Sequence, residues 1–133
     1  MTIDDDLIIR SKFDCEKVDR LIQRGYPAVA AHIPNMFQWL QDMNWPVAKK
    51  LAPFLLSIGE PICPEIRRVF DGDDPIWKYW VIVVLLTQLP PELVQPFRPD
   101  LERLATSPTP AEQAELLDEA AADLLDQLDS APN

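Results

Sequence analysis

The chain has 133 residues, 47% of them apolar, and a formal net charge of −10. That is enough apolar mass for one globular core and excludes a disordered chain. The acidic balance disfavours nucleic acids and bilayers as partners, because both present phosphates that call for basic patches.

Glycine is scarce at 3 residues and proline abundant at 14. Hairpin turns need positive φ, so few glycines argue against a sheet protein. Many prolines suit short helices, since proline is tolerated in a first helical turn and stops helices elsewhere. The expected fold is a single all-α domain over residues 1–133, with 1–12 and 129–133 frayed. The start, "MTIDDDLIIR", has no basic leader region, and the longest apolar run, Tyr79–Leu86, is far short of a membrane span. A cytoplasmic location is the expectation. In that compartment Cys15 and Cys63 are expected as reduced, buried thiols, and two cysteines with one histidine give no zinc spacing.

Along the chain, "FDCEKVDRLIQRG" (13–25) predicts a first helix. Asp14 is its cap, Val18, Leu21 and Ile22 its apolar stripe, and Gly25 its stop. "PAVAAHI" predicts a short helical turn. A repeated unit follows. Pro34, Pro64 and Pro99 each open a stretch with helical apolar spacing: Met36, Phe37 and Leu40; Ile66, Val69 and Phe70; Leu101 and Leu104. A second proline closes each unit, at Pro46, Pro75 and Pro110, and opens the next helix. Asp74 and Thr109 precede two of these prolines as N-caps, and Thr109-Pro-Ala-Glu112 fits a capping box. The partner helices are predicted over about 46–57 and 75–88. The second is apolar nearly all round, with Lys78 as its only charge, so it reads as the centre of the core through Val81, Ile82, Val84, Leu85 and Leu86.

The last predicted helix covers 110–128. Leu116, Leu117, Ala120, Ala121, Leu124, Leu125 and Leu128 fall in one arc, with acids on the other side. Residues 111–133 hold seven acids and no base, which leaves 15 acids against 12 bases before them. Helix–turn–helix units stepping by about 30–35 residues indicate an α-solenoid of stacked helix pairs. The acidic helix then reads as its polar C-terminal cap.

"HIPNMFQWLQDMNWPVAKKLAPFL" and "DDPIWKYWVIVVLL" carry a resemblance to a bacterial family of small proteins of unknown function with HEAT-like helical repeats. The resemblance runs from about Tyr26 to Leu104. It implies a short α-solenoid and a partner-binding or immunity role, and it brings no catalytic residues.

The residues themselves carry no catalytic signature. His32, the only histidine, has no neighbouring nucleophile and reads as packed between helices. "DGDDP" (71–75) lacks the ligand pattern of a calcium loop and reads as a turn with Asp74 as cap. Arg67 and Arg68 read as a solvated or aspartate-paired face. No catalytic, cofactor or metal site is expected. The expected function is a non-catalytic protein-binding module, as an immunity or inhibitor protein that neutralises a basic toxin. The alternative is a small enzyme or ligand-binding protein with a pocket between helices. The expected partner is a basic protein, met by a monomer or weak homodimer. Two surfaces are candidates. One is an aromatic and acidic edge of Trp45, Asp71, Asp73, Asp74, Trp77, Lys78 and Tyr79, because Trp and Tyr beside acids make interface hot spots. The other is the terminal stripe of Glu112, Glu115 and Glu119.

Overall fold

The structure is a computed structural model and describes residues 3–130. Among the described residues all regular structure is helical. The chain forms two compact units, Met1–Glu65 and Ile66–Asn133.

The first unit holds α1 (Cys15–Arg24), α2 (Ile33–Gln38) and α3 (Pro46–Ile58). α1 packs on α3. Val18 and Leu21 of α1 and Leu51 and Leu55 of α3 are buried, as are Met36, Phe37 and Leu40. Ile22, expected in the apolar stripe, is 40% exposed. It stands next to Leu21, about 100° further round the helix, outside the narrow seam that meets α3. Gly25 ends α1 with φ at 69°, a value that favours glycine.

Asp14 precedes α1 but does not cap it. Its ψ of 42° is not extended, and its carboxylate turns back to accept from the N–H groups of Arg10 and Ser11 at 2.8 and 3.0 Å.

Residues 3–12 are likewise not frayed. Leu7 and Ile9 are buried. The Asn35 side chain accepts from the Ile9 N–H at 2.9 Å and donates to the Ile9 carbonyl at 3.2 Å, which also accepts from Trp39 Nε1 at 3.0 Å. Polar side chains of α2 and the turn after it thus take the place of a neighbouring strand. His32 packs in the interior as expected, and its Nε2 accepts from the Asp4 N–H at 3.1 Å. Residues 1–2 and 131–133, also expected to fray, lie outside the described residues, whereas Asp129 and Ser130 belong to the last helix. Cys15 and Cys63 are half-buried free thiols rather than fully buried ones.

α4 (Cys63–Asp71) carries the chain into the second unit, which holds α5 (Pro75–Val81), α6 (Pro91–Val94), α7 (Arg98–Thr106), α8 (Pro110–Ala114) and α9 (Leu117–Ser130). The proline reading holds in detail. Pro34, Pro64 and Pro99 are each the second residue of a helix, where the missing N–H is one that a first turn leaves free. Each of these helices is preceded by a 3₁₀ turn, at Ala30–His32, Glu60–Ile62 and Gln95–Phe97, whose last residue is buried. Pro46, Pro75 and Pro110 are each the first residue of the next helix.

In the second unit α9 packs chiefly along α7, and α5 meets α8 and α9. Ile66, Val69, Phe70, Leu101 and Leu104 are buried, with Phe70 and Phe97 edge to face at 5.6 Å. Arg67 lies over the Phe97 ring at 5.2 Å, and its guanidinium is 2.6 Å from Asp100 as an ion pair.

The central helix departs from its expected register. After Val81 it widens into a π turn over Ile82–Leu86, closed by the Thr87 N–H donating to the Ile82 carbonyl at 3.1 Å. Buried positions then step by four, through Val81, Leu85 and Leu89 and through Ile82 and Leu86. Val84, expected in the core, lies outside that arc and is only half-buried.

Leu85 is fully enclosed. Leu85→Ala is expected to lower unfolding free energy by about 2–5 kcal/mol, the range for a buried leucine cavity. Urea denaturation checks this, and a loss below about 1 kcal/mol contradicts the central placement of this segment.

Candidate functional site

The second unit contains one buried polar cluster and one acid-rimmed apolar groove. The cluster centres on Glu112. Thr109 caps α8, and its hydroxyl accepts from the Glu112 N–H at 3.1 Å. The Glu112 carboxylate answers by accepting from the Thr109 N–H at 2.8 Å, which completes the predicted capping box. The same carboxylate takes both arms of the Arg103 guanidinium, Nη1 and Nη2, at 2.8 Å each. Lys78 Nζ donates to Oε2 at 3.4 Å. Four donors thus meet a group with about four lone-pair sites.

Lys78 and Glu112 are both about 95% enclosed, at 5% exposure each. Both were expected on a partner-binding surface, and both are instead interior. The reason is mutual. A buried ammonium needs a counter-ion, and the capping box had already fixed the nearest carboxylate. The Arg103 guanidinium above all, then the Thr109 N–H and the Lys78 charge, outweigh desolvation and hold the Glu112 carboxyl down at about 2.

The groove runs between α5 and the α8–α9 junction. It consists of two adjoining depressions of about 230 and 270 Å³. Ile76, Tyr79, Trp80, Ala114, Glu115 and Leu116 line the first, and Tyr79, Val83, Leu116, Glu119, Ala120 and Asp123 line the second. Tyr79 and Leu116 are common to both. Tyr79 meets Trp80 edge to face at 5.2 Å.

Leu116 has a φ of 60° and is 55% exposed. Its backbone is held at both ends: its N–H donates to the Gln113 carbonyl at 3.0 Å, and its carbonyl accepts from the Ala120 N–H at 3.1 Å. A leucine in this region costs about 1–2 kcal/mol. The predicted single helix over 110–128 is therefore two helices, and Leu116, placed in its apolar arc, projects from the surface instead.

The other candidate residues are distributed as follows. Asp74 caps α5, its Oδ1 accepting from the N–H groups of Ile76 and Trp77 at 3.1 and 3.0 Å. Asp73 is exposed in the turn before it, and Asp71 is exposed with the Arg67 Nε at 3.6 Å. Trp77 is half-buried. Trp45 belongs to the first unit, where it precedes α3 and meets Trp39 edge to face at 5.3 Å. Tyr79, Glu115 and Glu119 are the candidates that the groove brings together. Ile76, Trp80, Val83 and Asp123 complete it, and nothing in the sequence marks their grouping, because the chain kink at Leu116 has neither Gly nor Asn to signal it.

The terminal acids also separate into kinds. Asp129 pairs with Arg98, and Asp118 is half-buried. Among the described residues, Glu115, Glu119 and Asp123 have no cationic partner. No group of three or more His, Cys, Asp or Glu side chains among the described residues is placed to hold a metal ion. No helix among them is long and apolar enough to cross a membrane.

The chain belongs to the DUF5071 family, a domain of unknown function, which matches residues 7–125. No curated protein matches it.

The Glu112 cluster makes a prediction. A carboxyl held at about 2 in the folded state and near 4.5 when free stabilises the fold at neutral pH. That contribution is full above about 4.5 and is lost as pH falls towards 2, an amount on the order of 3 kcal/mol. Glu112→Gln is expected to destabilise the protein at pH 7 by about 3–5 kcal/mol, because Lys78 is left buried without its counter-ion. Thermal melts of both proteins between pH 7 and 3 check this. The variant's curve should be flatter through the acid limb, and parallel curves contradict the assignment.

Proposed function

We propose that this DUF5071 chain is a non-catalytic binding module that captures a basic protein, in the manner of an immunity or inhibitor protein against a basic toxin. The observation that carries the reading is the groove itself. Exposed Ile76 and Leu116, with Tyr79 and Trp80, form an apolar floor, and Glu115, Glu119 and Asp123 form a rim without cationic partners. Aromatic anchors inside a charged rim are the usual make-up of an interface hot spot. Unpaired rim charge steers an oppositely charged partner and suppresses wrong ones. An acidic surface also suits a partner whose own site is built for phosphates.

The recurrence of the 3₁₀–helix unit at three points supports a short HEAT-like solenoid, with α9 as an acidic C-terminal cap. The cap is then more than a solubility device, because one of its acidic edges is the groove rim.

Each depression, at about 230–270 Å³, falls under the ~300–1,000 Å³ of ligand pockets. The lining offers carboxylates at the rim and no histidine or cysteine. Such hollows fit side chains of a partner.

Affinity capture from the native cell with mass spectrometry tests the reading. The expected result is one basic protein retained at low salt and released by high salt. Neutralising the rim through Glu115→Gln, Glu119→Gln and Asp123→Asn is expected to slow association about tenfold at low salt and flatten its salt dependence. Reversing Asp71 and Asp73 to lysine tests the second acidic patch in the same assay. A partner whose association rate ignores both sets of changes shows the acidity to be solvation, and the reading fails.

A further inference from the structure

We propose that the groove takes one amphipathic helix with apolar residues on one face and basic residues four apart along one edge, and that it straddles Leu116. The inference rests on the protein-binding reading and names the form and chemistry of the occupant. Three observations lead to it.

The first is the rim. Glu115, before the kink at Leu116, opens the acidic rim, and Glu119 and Asp123 continue it four apart on α9. In a helix that step is one turn, about 6 Å. A row of carboxylates at this spacing is matched by Lys or Arg at the same spacing on a second helix lying alongside.

The second is the floor. Ile76, Tyr79 and Val83 step by three and four along α5 and the π turn that continues it, so the two depressions are about two turns from end to end. Helical ligands in grooves are read through anchors at i, i+3 or i+4, and i+7.

The third is the backbone. No strand exists among the described residues, so the second unit offers no sheet edge to an extended peptide. A helix, which satisfies its own N–H and C=O groups, suits such a surface.

Leu116 divides the floor into its two hollows and is the most exposed large apolar side chain of the second unit. A leucine is retained where glycine or asparagine would relieve the backbone. The side chain is therefore placed at a cost to the fold, as residues that act through contact often are. A second copy of the chain is a poor occupant, since a net charge of −10 sets acid against acid.

The test uses the full chain and labelled synthetic peptides in fluorescence anisotropy. The probe is a helical peptide of about 16 residues with leucines on one face and lysines four apart on one edge. Two control peptides carry glutamate in place of lysine, or a central proline. The lysine peptide is expected to bind, the glutamate peptide at least about tenfold more weakly, and the proline peptide weakly as well. Leu116→Gly is expected to weaken binding about tenfold while its melting temperature stays level or rises. Leu116→Asn repeats the comparison with a side chain that also accepts this φ.

Equal binding of the lysine and glutamate peptides overturns the proposal. So does a Leu116 variant of unchanged affinity, or a dimer of the chain alone that these variants abolish. If the lysine peptide does not bind but the protein captured from the cell does, the occupant is a folded surface, and only the helix inference falls. If neither binds, the binding reading falls with it.

Discussion

The second unit depends on one carboxylate. Glu112 is buried on an acidic, otherwise outward-facing segment, and a buried charge is tolerable only when its partners are complete. Arg103 comes from α7, Lys78 from α5 and the Thr109 amide from the start of α8. One group thereby fixes three helices. It also sets the rotation of α5 about its axis. With Lys78 held inward, Val81, Ile82 and Leu85 follow into the core. Ile76, Tyr79 and Val83 then form the neighbouring stripe, roughly a quarter turn away, and that stripe is the groove floor.

The strained residue at 116 follows from the same requirement. In one continuous helix, Glu112, Glu115 and Glu119 stand at i, i+3 and i+7 and share a face. Glu112 is enclosed, whereas Glu115 and Glu119 are exposed. Glu115 lies before the kink, at the C-cap of α8, and Glu119 lies after it on α9. The left-handed residue between these two turns the chain, so that α8 with Glu112 inward and α9 with Glu119 outward are separate helices. The φ of 60° at Leu116 is the local expression of that reorientation. Hydrogen bonds from Leu116 to Gln113 and from Ala120 to Leu116 hold the kink from both sides.

Much of the fold was legible because its punctuation is local. Proline at a helix start, aspartate before Pro75 and the Thr109 capping box act within a few residues, and each is where the sequence indicates. The apolar triplets after Pro34 and Pro64 and the leucine pair after Pro99 are buried for the same reason. What was illegible depends on distant partners or on backbone states without a residue signature. Lys78 and Glu112 are 34 positions apart, and no pattern links them. The π turn after Val81 uses ordinary β-branched and leucine residues, which do not mark it in the sequence. Asp14 has a cap's identity but the wrong ψ. Residues 3–12 look polar and loose, yet Asn35, Trp39 and His32 tie them down from more than 25 positions away. The groove lay partly in view through Tyr79, Glu115 and Glu119, and its floor did not.

The charge argument becomes narrower and stronger once the pairs are assigned. Seven acids after residue 110 suggest a diffuse negative field. Glu112 is buried and neutralised within the protein, so it cannot recruit a partner, and Asp129 already holds Arg98 in an exposed pair. Of the remaining rim acids, Glu119 and Asp123 stand at i, i+4 on α9, an arrangement in which like charges oppose each other by roughly 0.2–0.5 kcal/mol. A cation placed along that rim removes this repulsion as well as adding its own attraction. The same edge borders the apolar floor that Leu116 and Tyr79 share. Repulsion that a basic partner relieves, backbone strain at an exposed leucine and an uncovered aromatic floor are three separate departures from what folding alone favours. They coincide at one place on the second unit, where a basic helix, if bound, would cover the floor and offset the repulsion along the rim.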